Sequence, residues 1–503
     1  MKGRDYNYIM SAFPDGRRKS ILERIATRVM KERGFLPYFS RAVLNELENI
    51  RHVDREAESP GKDLRHLLWA SIDNDDSLDL DQLTVAETLP DKGVRVLVAV
   101  ADVDARVKRN SAVDGHARQN TTSVYTAGKT FPMLPEKLST DLTSLKYDED
   151  RPAMVIEMVI GDAGEMQSSG IYRAQVRNHA KLAYDSVAAW LEGKSPMPEA
   201  VTVVPGLAEN LRIQDRVAQQ LKAVRHEHGA LDLQTLEVRP VFAGDEIQDL
   251  RVEERNRAKE IIEDFMIAAN GVTARFLHEK KVPSLRRMVR SPKRWGRIVE
   301  IAAQHKDRLP PEPDSRALAS FLTAQKAADP LRFPDLSLSV IKLLGPGEYV
   351  VEFPGDAPPG HFGLAVKDYT HSTAPNRRFP DLITQRILKA SLDGSPLAYS
   401  RDELMELARH CTEKEDDANK VERLVAKSAA AMLLASRIGE KFDAICTGAA
   451  DKGTWVRIFH PPIEGRLLYG YEGVDVGNRL KVQLIHTDAE KGYIDFKNIR
   501  LNH

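Results

Sequence analysis

The sequence predicts an α+β protein that ends in a small all-β unit. Continuous apolar runs such as VRVLVAVA (residues 94–101) are typical of buried strands. Apolar residues at helical spacing between Asn256 and Lys280 indicate a long helix. The last part of the chain instead holds short strand-like runs separated by Gly, Pro or Asp turns, which favours a small closed barrel of the OB-fold type.

Length and composition limit the class of protein. A chain of 503 residues suggests about two to four domains. No run of 18 or more apolar residues occurs and the N-terminus is polar, so we expect neither a membrane span nor a secretory signal. The two cysteines, Cys411 and Cys446, are too few for a disulfide framework, which favours a cytoplasmic location.

The first residues predict a small, helix–turn–helix-like N-terminal domain over residues 1–60. One helix carries apolar side chains at helical spacing and stops near Gly34, and Ser40 is the expected N-cap of a second helix. Residues 1–62 hold 13 basic and 9 acidic side chains, a net charge of +4. This pair of helices is either a cap on the larger domain or a nucleic-acid-binding element, and ESPGKD (58–63) reads as the linker that follows.

The central region predicts alternating strands and helices of one large domain. Strands are expected at HLLWASI, 94–101 and 153–160, and helices at 256–280, 381–392 and, with an interruption, 402–441. Prolines mark loops near 309–313 and 353–359. Beyond them, the barrel strands are expected at GTWVRIF, EGRLLYG, LKVQLI and GYIDF.

An acidic loop is the strongest functional signal. Residues 73–81 read DNDDSLDLD, and five carboxylates this close repel one another unless a cation neutralises them. Oxygen ligands suit Mg²⁺ or Mn²⁺, so the loop favours metal-assisted phosphoryl transfer. A calcium EF-hand loop is excluded, because Leu78 and Thr84 occupy the positions that need Gly and Glu. A phosphatase using Asp79 and Asp81, and a merely solvated acidic turn, stay open at this point.

The acidic loop resembles a known family signature. IDNDDSLDLDQL is similar to the motif of the RNase II (RNB-domain) exoribonucleases, in which aspartates follow the first one by six, eight and nine positions. Here those positions hold Asp73, Asp79, Asp81 and Gln82, so Gln replaces the last aspartate. The resemblance implies that these four residues hold the metal and that Asp81 is catalytic. An amide oxygen in place of a carboxylate is a weaker ligand.

Two further segments resemble the family's conserved stretches. In VYTAGKTFPMLPEKLSTDLTSL (124–145), the resemblance implies that Tyr125 stacks near the RNA 3′ end. In DYTHSTAPNRRFPDLITQRIL (368–388), it implies that Arg377 contacts the scissile phosphate, where a guanidinium can hold two oxygens. Arg378 is expected either to line the RNA track or to pair with an acidic side chain.

The basic segment and the barrel supply the remaining RNA-binding candidates. Residues 279–298 hold eight Lys or Arg against one Glu, either a phosphate track or a solvated face. In PSLRRMVRSP, Arg286 stands where the family commonly has an aromatic, and we expect it to stack on a base, with Arg287 and Arg290 on phosphates. The C-terminal barrel resembles the family's S1-type domain, in which Trp455 is a stacking candidate.

Together the resemblance implies an RNB catalytic domain over 63–440 and an S1-type OB-fold over 444–503, without the family's usual N-terminal cold-shock domains. It implies a Mg²⁺-dependent (Mn²⁺ possible), processive 3′→5′ exoribonuclease, acting on single-stranded RNA as a monomer, with DNA a poor substrate. Gln82, Arg286 and Val289, which replaces a histidine of the family, favour one alternative, an RNA-binding protein with a degenerate active site. A small-molecule phosphatase is the other.

Overall fold

The computed structural model describes residues 18–50, 61–90, 93–235, 237–244, 246–253, 255–450 and 452–499. It confirms the α+β class. Two helices, a seven-stranded sheet surrounded by helices, and a closed five-stranded barrel follow one another along the chain. Among the helices of these ranges, none is both long and apolar enough to cross a membrane.

A mixed sheet forms the centre of the molecule, in the order β1–β8–β7–β4–β3–β2–β9. Its strands are β1 (Lys62–Asp63), β2 (Ala70–Asp73), β3 (Gln82–Thr88), β4 (Val94–Ala101), β7 (Asp150–Ile160), β8 (Met166–Arg177) and β9 (Ala180–Ala183), while β5 (Val124–Tyr125) and β6 (Thr130–Phe131) form a separate hairpin. The strands predicted at 94–101 and 153–160 are confirmed. The strand predicted at HLLWASI is shorter, because the chain turns before it and the Trp69 indole N–H donates to the Leu64 carbonyl (2.8 Å).

The helices cover both the sheet and the barrel. They are α1 (Arg18–Glu32), α2 (Arg41–Asn49), α3 (Ala112–Asn120), α4 (Tyr184–Leu191), α5 (Glu199–Thr202), α6 (Leu207–Glu227), α7 (Arg257–Glu279), α8 (Trp295–Gln304), α9 (Ser315–Ala328), α10 (Phe333–Leu344), α11 (Phe379–Asp393) and α12 (Arg401–Leu434). The helix predicted over 256–280 is confirmed as α7, with Asn256 as its N-cap. The predicted interruption in α12 is wrong, and so is its predicted end at Lys441, since the helix stops at Leu434.

The N-terminal helices pack on the central region of the chain. The predicted N-cap is confirmed, because the Ser40 hydroxyl accepts a hydrogen bond from the Val43 N–H. Apolar side chains of α1 share a hydrophobic core with α12 and with the β5–β6 hairpin. The predicted domain boundary at residue 60 and the first half of the linker ESPGKD lie outside the described residues.

The C-terminal barrel is closed in the order β14–β15–β16–β18–β17. Its strands are β14 (Lys441–Ala450), β15 (Gly453–Ile458), β16 (Glu464–Tyr469), β17 (Arg479–Asp488) and β18 (Tyr493–Asn498). Two separate two-stranded sheets lie outside the barrel: β10 (Glu237–Ala243) pairs with β11 (Glu246–Glu253), and β12 (Ser284–Met288) pairs with β13 (Glu348–Glu352). The four predicted barrel strands are present. The sequence missed β14, whose Ala- and Gly-rich stretch has little strand propensity, so pairing with β15 and β17 decides its conformation.

Candidate active site

The loop between β2 and β3 carries the acidic cluster. Asp73 is the last residue of β2, and Asp81 immediately precedes β3. Buried Leu80 anchors the loop: its N–H donates to the Ser144 hydroxyl (3.0 Å) and its carbonyl accepts from the Leu145 N–H (2.9 Å). The segment LSTDLTSL therefore holds the acidic loop in place.

Asp81 joins this loop to the segment DYTHSTAPNRRFPDLITQRIL (368–388). Its side chain is 2% exposed, and its two oxygens accept hydrogen bonds from the Asn376 N–H (3.0 Å) and from Arg377 Nε (3.0 Å). The Arg377 side chain is 44% exposed, so the guanidinium is held at one edge and accessible at the rest. The structure thus brings together two predicted catalytic residues that are nearly three hundred positions apart in the sequence.

The electrostatics of the cluster favour a bound cation. Burial raises the pKa of the Asp81 carboxyl group to about 7; the charge of Arg377 opposes this rise and that of Asp79 adds to it. Burial likewise raises the pKa of Asp79, and the charge of Asp73 adds to that rise. The three predicted carboxylates therefore lie within electrostatic range of one another, and one arginine does not fully compensate their charge.

Gln82 and the two extra aspartates of the loop differ in placement. Gln82 is buried at the start of β3, opposite Val100, and its side-chain amide makes no hydrogen bond within the described ranges. Asp75 and Asp76 are exposed on the turn, so neither takes the position of the missing family aspartate.

The donor set fits a hard divalent cation in type. Asp73, Asp79, Asp81 and Gln82 offer oxygen atoms only, which is the chemistry that Mg²⁺ prefers. Across the described residues, no group of three or more acidic, His or Cys side chains is arranged ready to hold a metal ion. Both oxygens of Asp81 are instead occupied by protein donors. Each carboxylate oxygen has a second lone pair, so these two hydrogen bonds do not by themselves prevent Asp81 from binding a cation.

Tyr125 lies beside the acidic cluster on the β5–β6 hairpin. Its hydroxyl donates to Asp79 Oδ2 (3.4 Å), and its backbone N–H donates to Glu422 on α12 (2.8 Å). The side chain is 46% exposed. An aromatic ring held at one edge and open at the rest is a suitable stacking platform for a base, as the resemblance implies.

Arg378 is engaged by its own helix. Its Nε and Nη2 donate to the two oxygens of Asp381 (both 2.8 Å) in the first turn of α11, and Asp381 also accepts from the Ala374 N–H (2.9 Å). These bonds fix the loop that presents Arg377. Arg378 therefore lies next to the site, with a structural partner already in place.

The predicted role of Arg286 is corrected by the structure. Arg286 is 1% exposed on β12, and its Nε lies 2.8 Å from Glu352 Oε2 in a buried ion pair. A base cannot stack on a guanidinium without an exposed face. Burial decides this outcome, because β12 is covered on both sides, which no local feature of PSLRRMVRSP indicates.

The neighbouring arginines are also paired. Arg287 contacts Glu415 on α12 (2.6 Å) and lies 4.9 Å from the centroid of the Tyr349 ring, and it is mostly buried. Arg290 is exposed and pairs with Glu348. Phosphate binding by Arg287 and Arg290 stays a prediction, and of these two only Arg290 offers an open surface.

Trp455 lies outside the cluster, on β15 of the barrel. It is half-buried, packs against Gly448 on the neighbouring strand and is in register with Arg466. Its predicted stacking on RNA stays a prediction about a second, separate surface.

Sequence reasoning missed three residues of the site. Asn376 donates through its backbone and could have been found, since it precedes Arg377 in the same motif. Glu422 accepts from Tyr125 across almost three hundred residues, which no local signal indicates. Tyr184 lies near Asp73, because it follows Ala183, which pairs with Asp73 between β2 and β9. Burial raises the pKa of Tyr184, and the charge of Asp73 raises it further.

The chain is similar to known proteins over most of its length. The chain matches the RNB domain over residues 61–394 and the RNase II-type exonuclease C-terminal S1 domain over residues 440–498. Ribonuclease R of Vibrio parahaemolyticus is 32% identical over 505 residues, which cover 92% of this chain and 59% of that protein. The chain therefore spans less than two thirds of this relative's length.

Two solved structures share the fold. Mycoplasma genitalium RNase R in complex with ribose methylated single-stranded RNA superimposes with a TM-score of 0.84 at 22% identity, over 95% of this chain and 78% of that one. The same protein in complex with double-stranded RNA gives a TM-score of 0.83 at 24% identity, over 95% and 83%.

Proposed function

The chain belongs to the RNase II (RNB-domain) family, and on that premise we propose that it is a 3′→5′ exoribonuclease that hydrolyses single-stranded RNA to nucleoside 5′-monophosphates. The observation that carries the proposal is the contact of Asp81 with Arg377 beside Tyr125. The proposal is supported because three segments distant in sequence bring together a buried carboxylate, a partly exposed guanidinium and a partly exposed aromatic ring.

Each of these residues has a distinct part in the proposed reaction. Arg377 uses Nε for Asp81, which leaves its two terminal NH₂ groups for the oxygens of the scissile phosphate. Tyr125 holds the base of a 3′-terminal nucleotide by stacking, without reading its identity. Asp73, Asp79, Asp81 and Gln82 would hold Mg²⁺ (or Mn²⁺), which supplies charge stabilisation on the phosphate oxygens.

A second candidate function is favoured by one residue. Gln82 replaces a carboxylate with a neutral amide oxygen, which weakens the donor set. An RNA-binding protein with a degenerate RNB site would retain Arg377 and Tyr125 for binding and would not turn over RNA.

Product analysis separates these candidates. RNA labelled at the 3′ or the 5′ end is incubated with the protein and Mg²⁺, with Asp81→Asn as the test variant and Asp76→Asn as a matched control in the same loop. We expect mononucleotide release from the 3′ end by the wild type and the control. Asp81→Asn should abolish turnover and keep RNA affinity, because it removes a transition-state role and not a contact with the substrate.

Other outcomes contradict the proposal. Stable RNA binding without release of mononucleotides identifies the degenerate binder. Cleavage of a chromogenic phosphate ester by a protein that has no RNA affinity identifies a small-molecule phosphatase. Loss of RNA affinity in Asp81→Asn shows that this carboxylate is a binding residue and that its catalytic assignment is wrong.

A further inference from the structure

A surface groove runs along α1, next to the hairpin that carries Tyr125. It has a volume of about 660 Å³, and its wall includes Arg24, Arg28, Lys31, Tyr38 and Lys129. We call it the α1 groove. Four basic side chains line it against two acidic ones, Glu23 and Glu32, so its charge is positive.

Tyr38 is the exposed aromatic of the groove. Its side chain is 59% exposed, with Lys31 Nζ 5.6 Å and Lys129 Nζ 5.9 Å from the ring centroid. Neither ammonium group makes an ion pair with a carboxylate in the described part of the chain. An exposed ring between two such lysines matches the chemistry of a nucleotide, because a base stacks on the ring while flexible ammonium groups reach the flanking phosphates.

The opposite wall of the groove is tied to the barrel. Arg24 forms an ion pair with Glu490, and Arg28 Nη2 donates to the Glu490 carbonyl (3.0 Å). Arg28 also binds Glu32 (3.0 Å), which neutralises one of the two acidic groups. The groove therefore has one wall fixed to the barrel, while Lys31 and Lys129 lie near Tyr38.

The groove borders the hairpin that carries Tyr125, because Lys129 lines the groove and lies in the turn of that hairpin. Lys129 belongs to the same hairpin as Tyr125, whose register partner is Thr130. The hairpin turn lies so close to α1 that a Cβ on Gly128 would stand 2.7 Å from the Glu23 nitrogen. The hairpin therefore carries both Tyr125 and one lysine of the groove, and its turn is packed against α1.

We propose that the α1 groove binds the part of a single-stranded RNA that lies 5′ of the nucleotides held at Tyr125. A base stacks on Tyr38, and Lys31 and Lys129 bind the adjacent phosphates. This inference rests on the proposed exoribonuclease function, and it assigns to the N-terminal helices the capture of substrate outside the catalytic site. The exposed ring favours RNA over an acidic peptide, which would need the charges alone.

Affinity as a function of RNA length tests the proposal. Labelled poly(A) ladders are titrated by fluorescence anisotropy against full-length protein carrying Asp81→Asn, so that RNA is not consumed. Tyr38→Ala should raise Kd about tenfold for RNAs long enough to reach the groove, since stacking contributes of that order per base. For the shortest RNAs, the ratio of variant to parent Kd should fall towards one.

Salt dependence tests the lysines. Lys31→Gln combined with Lys129→Gln should lower the slope of log affinity against log salt by about 1.4 for long RNA, the value for two phosphate contacts on a single strand. Lys62→Gln is the matched control, because Lys62 also lies over a tyrosine ring, 3.6 Å from Tyr172, but does not line the groove. Its slope should equal that of the parent protein.

The outcomes are distinguishable from failure of the proposed function. Unchanged length and salt dependence in both groove variants overturns the inference, while mononucleotide release by the wild type still supports the exoribonuclease. If polyglutamate competes for the lysines and Tyr38→Ala has no effect, the groove is an acidic-peptide site and the inference is wrong. Tyr38 is exposed, so Tyr38→Ala should not destabilise the fold. Its melting temperature should equal that of the parent protein, and this is measured as a control.

Discussion

Acid should selectively weaken the contact between α3 and the segment that carries Tyr38. His116 on α3 is 5% exposed, and its ring centroid is 4.4 Å from that of Phe39. Asn120 binds both backbone groups of Leu36, accepting from its N–H (2.8 Å) and donating to its carbonyl (2.9 Å). This fixes the orientation of the amide, so Asn120 Nδ2 donates to His116 Nε2 (3.2 Å), which must be unprotonated.

The magnitude follows from the pKa of His116. Burial lowers it from 6.5 to about 4. When folding lowers the pKa of a histidine, the protein has its full free energy of unfolding above the pKa of the unfolded state. For His116, part of this free energy is lost as the pH falls from about 6.5 to about 4. At 1.36 kcal/mol per pKa unit, the loss approaches about 3 kcal/mol at the acid end.

Urea unfolding at a series of pH values measures this loss. The wild type is compared with His116→Gln, which is neutral at every pH, and with His66→Gln, a control at an exposed histidine. The free energy of unfolding of the wild type relative to His116→Gln should be constant above about pH 7 and fall by about 3 kcal/mol towards pH 4. Parallel curves for these two proteins over the whole range would refute the reasoning.

Three other substitutions give sharp expectations. Gln82→Asp should lower the Mg²⁺ concentration needed for RNA hydrolysis, because a carboxylate is the stronger ligand; an unchanged or higher requirement contradicts the ligand assignment. Gly128→Ala should reduce kcat/KM about 10- to 100-fold by moving the hairpin off α1, whereas Gly115→Ala, where a Cβ meets nothing within 4 Å, should leave it unchanged. Arg286→Met should cost about 3–5 kcal/mol of unfolding free energy, largely recovered by adding Glu352→Leu; a cost near zero would show that the pair is not buried.

The features that the sequence predicted well are those set by neighbouring residues. The helix from Asn256, the Ser40 cap and the strand at 94–101 depend on periodicity and capping, which act over a few positions. The spacing of Asp73, Asp79 and Asp81 likewise indicates strong mutual repulsion before any fold is known, because this repulsion depends on proximity along the chain; that the loop binds a cation stays a prediction.

The side-chain contacts of the site and the burial of its residues could be known only from the tertiary structure, because they depend on contacts between distant segments. No local pattern connects the residues of three such contacts. Arg377 donates to Asp81, the Tyr125 N–H donates to Glu422, and buried Arg286 pairs with Glu352. The physical reason is that side-chain environment, unlike helix or strand periodicity, is set by which surfaces the fold brings together. Two arginines therefore differ in solvent exposure: the side chain of Arg377 is partly exposed, whereas that of Arg286 is buried.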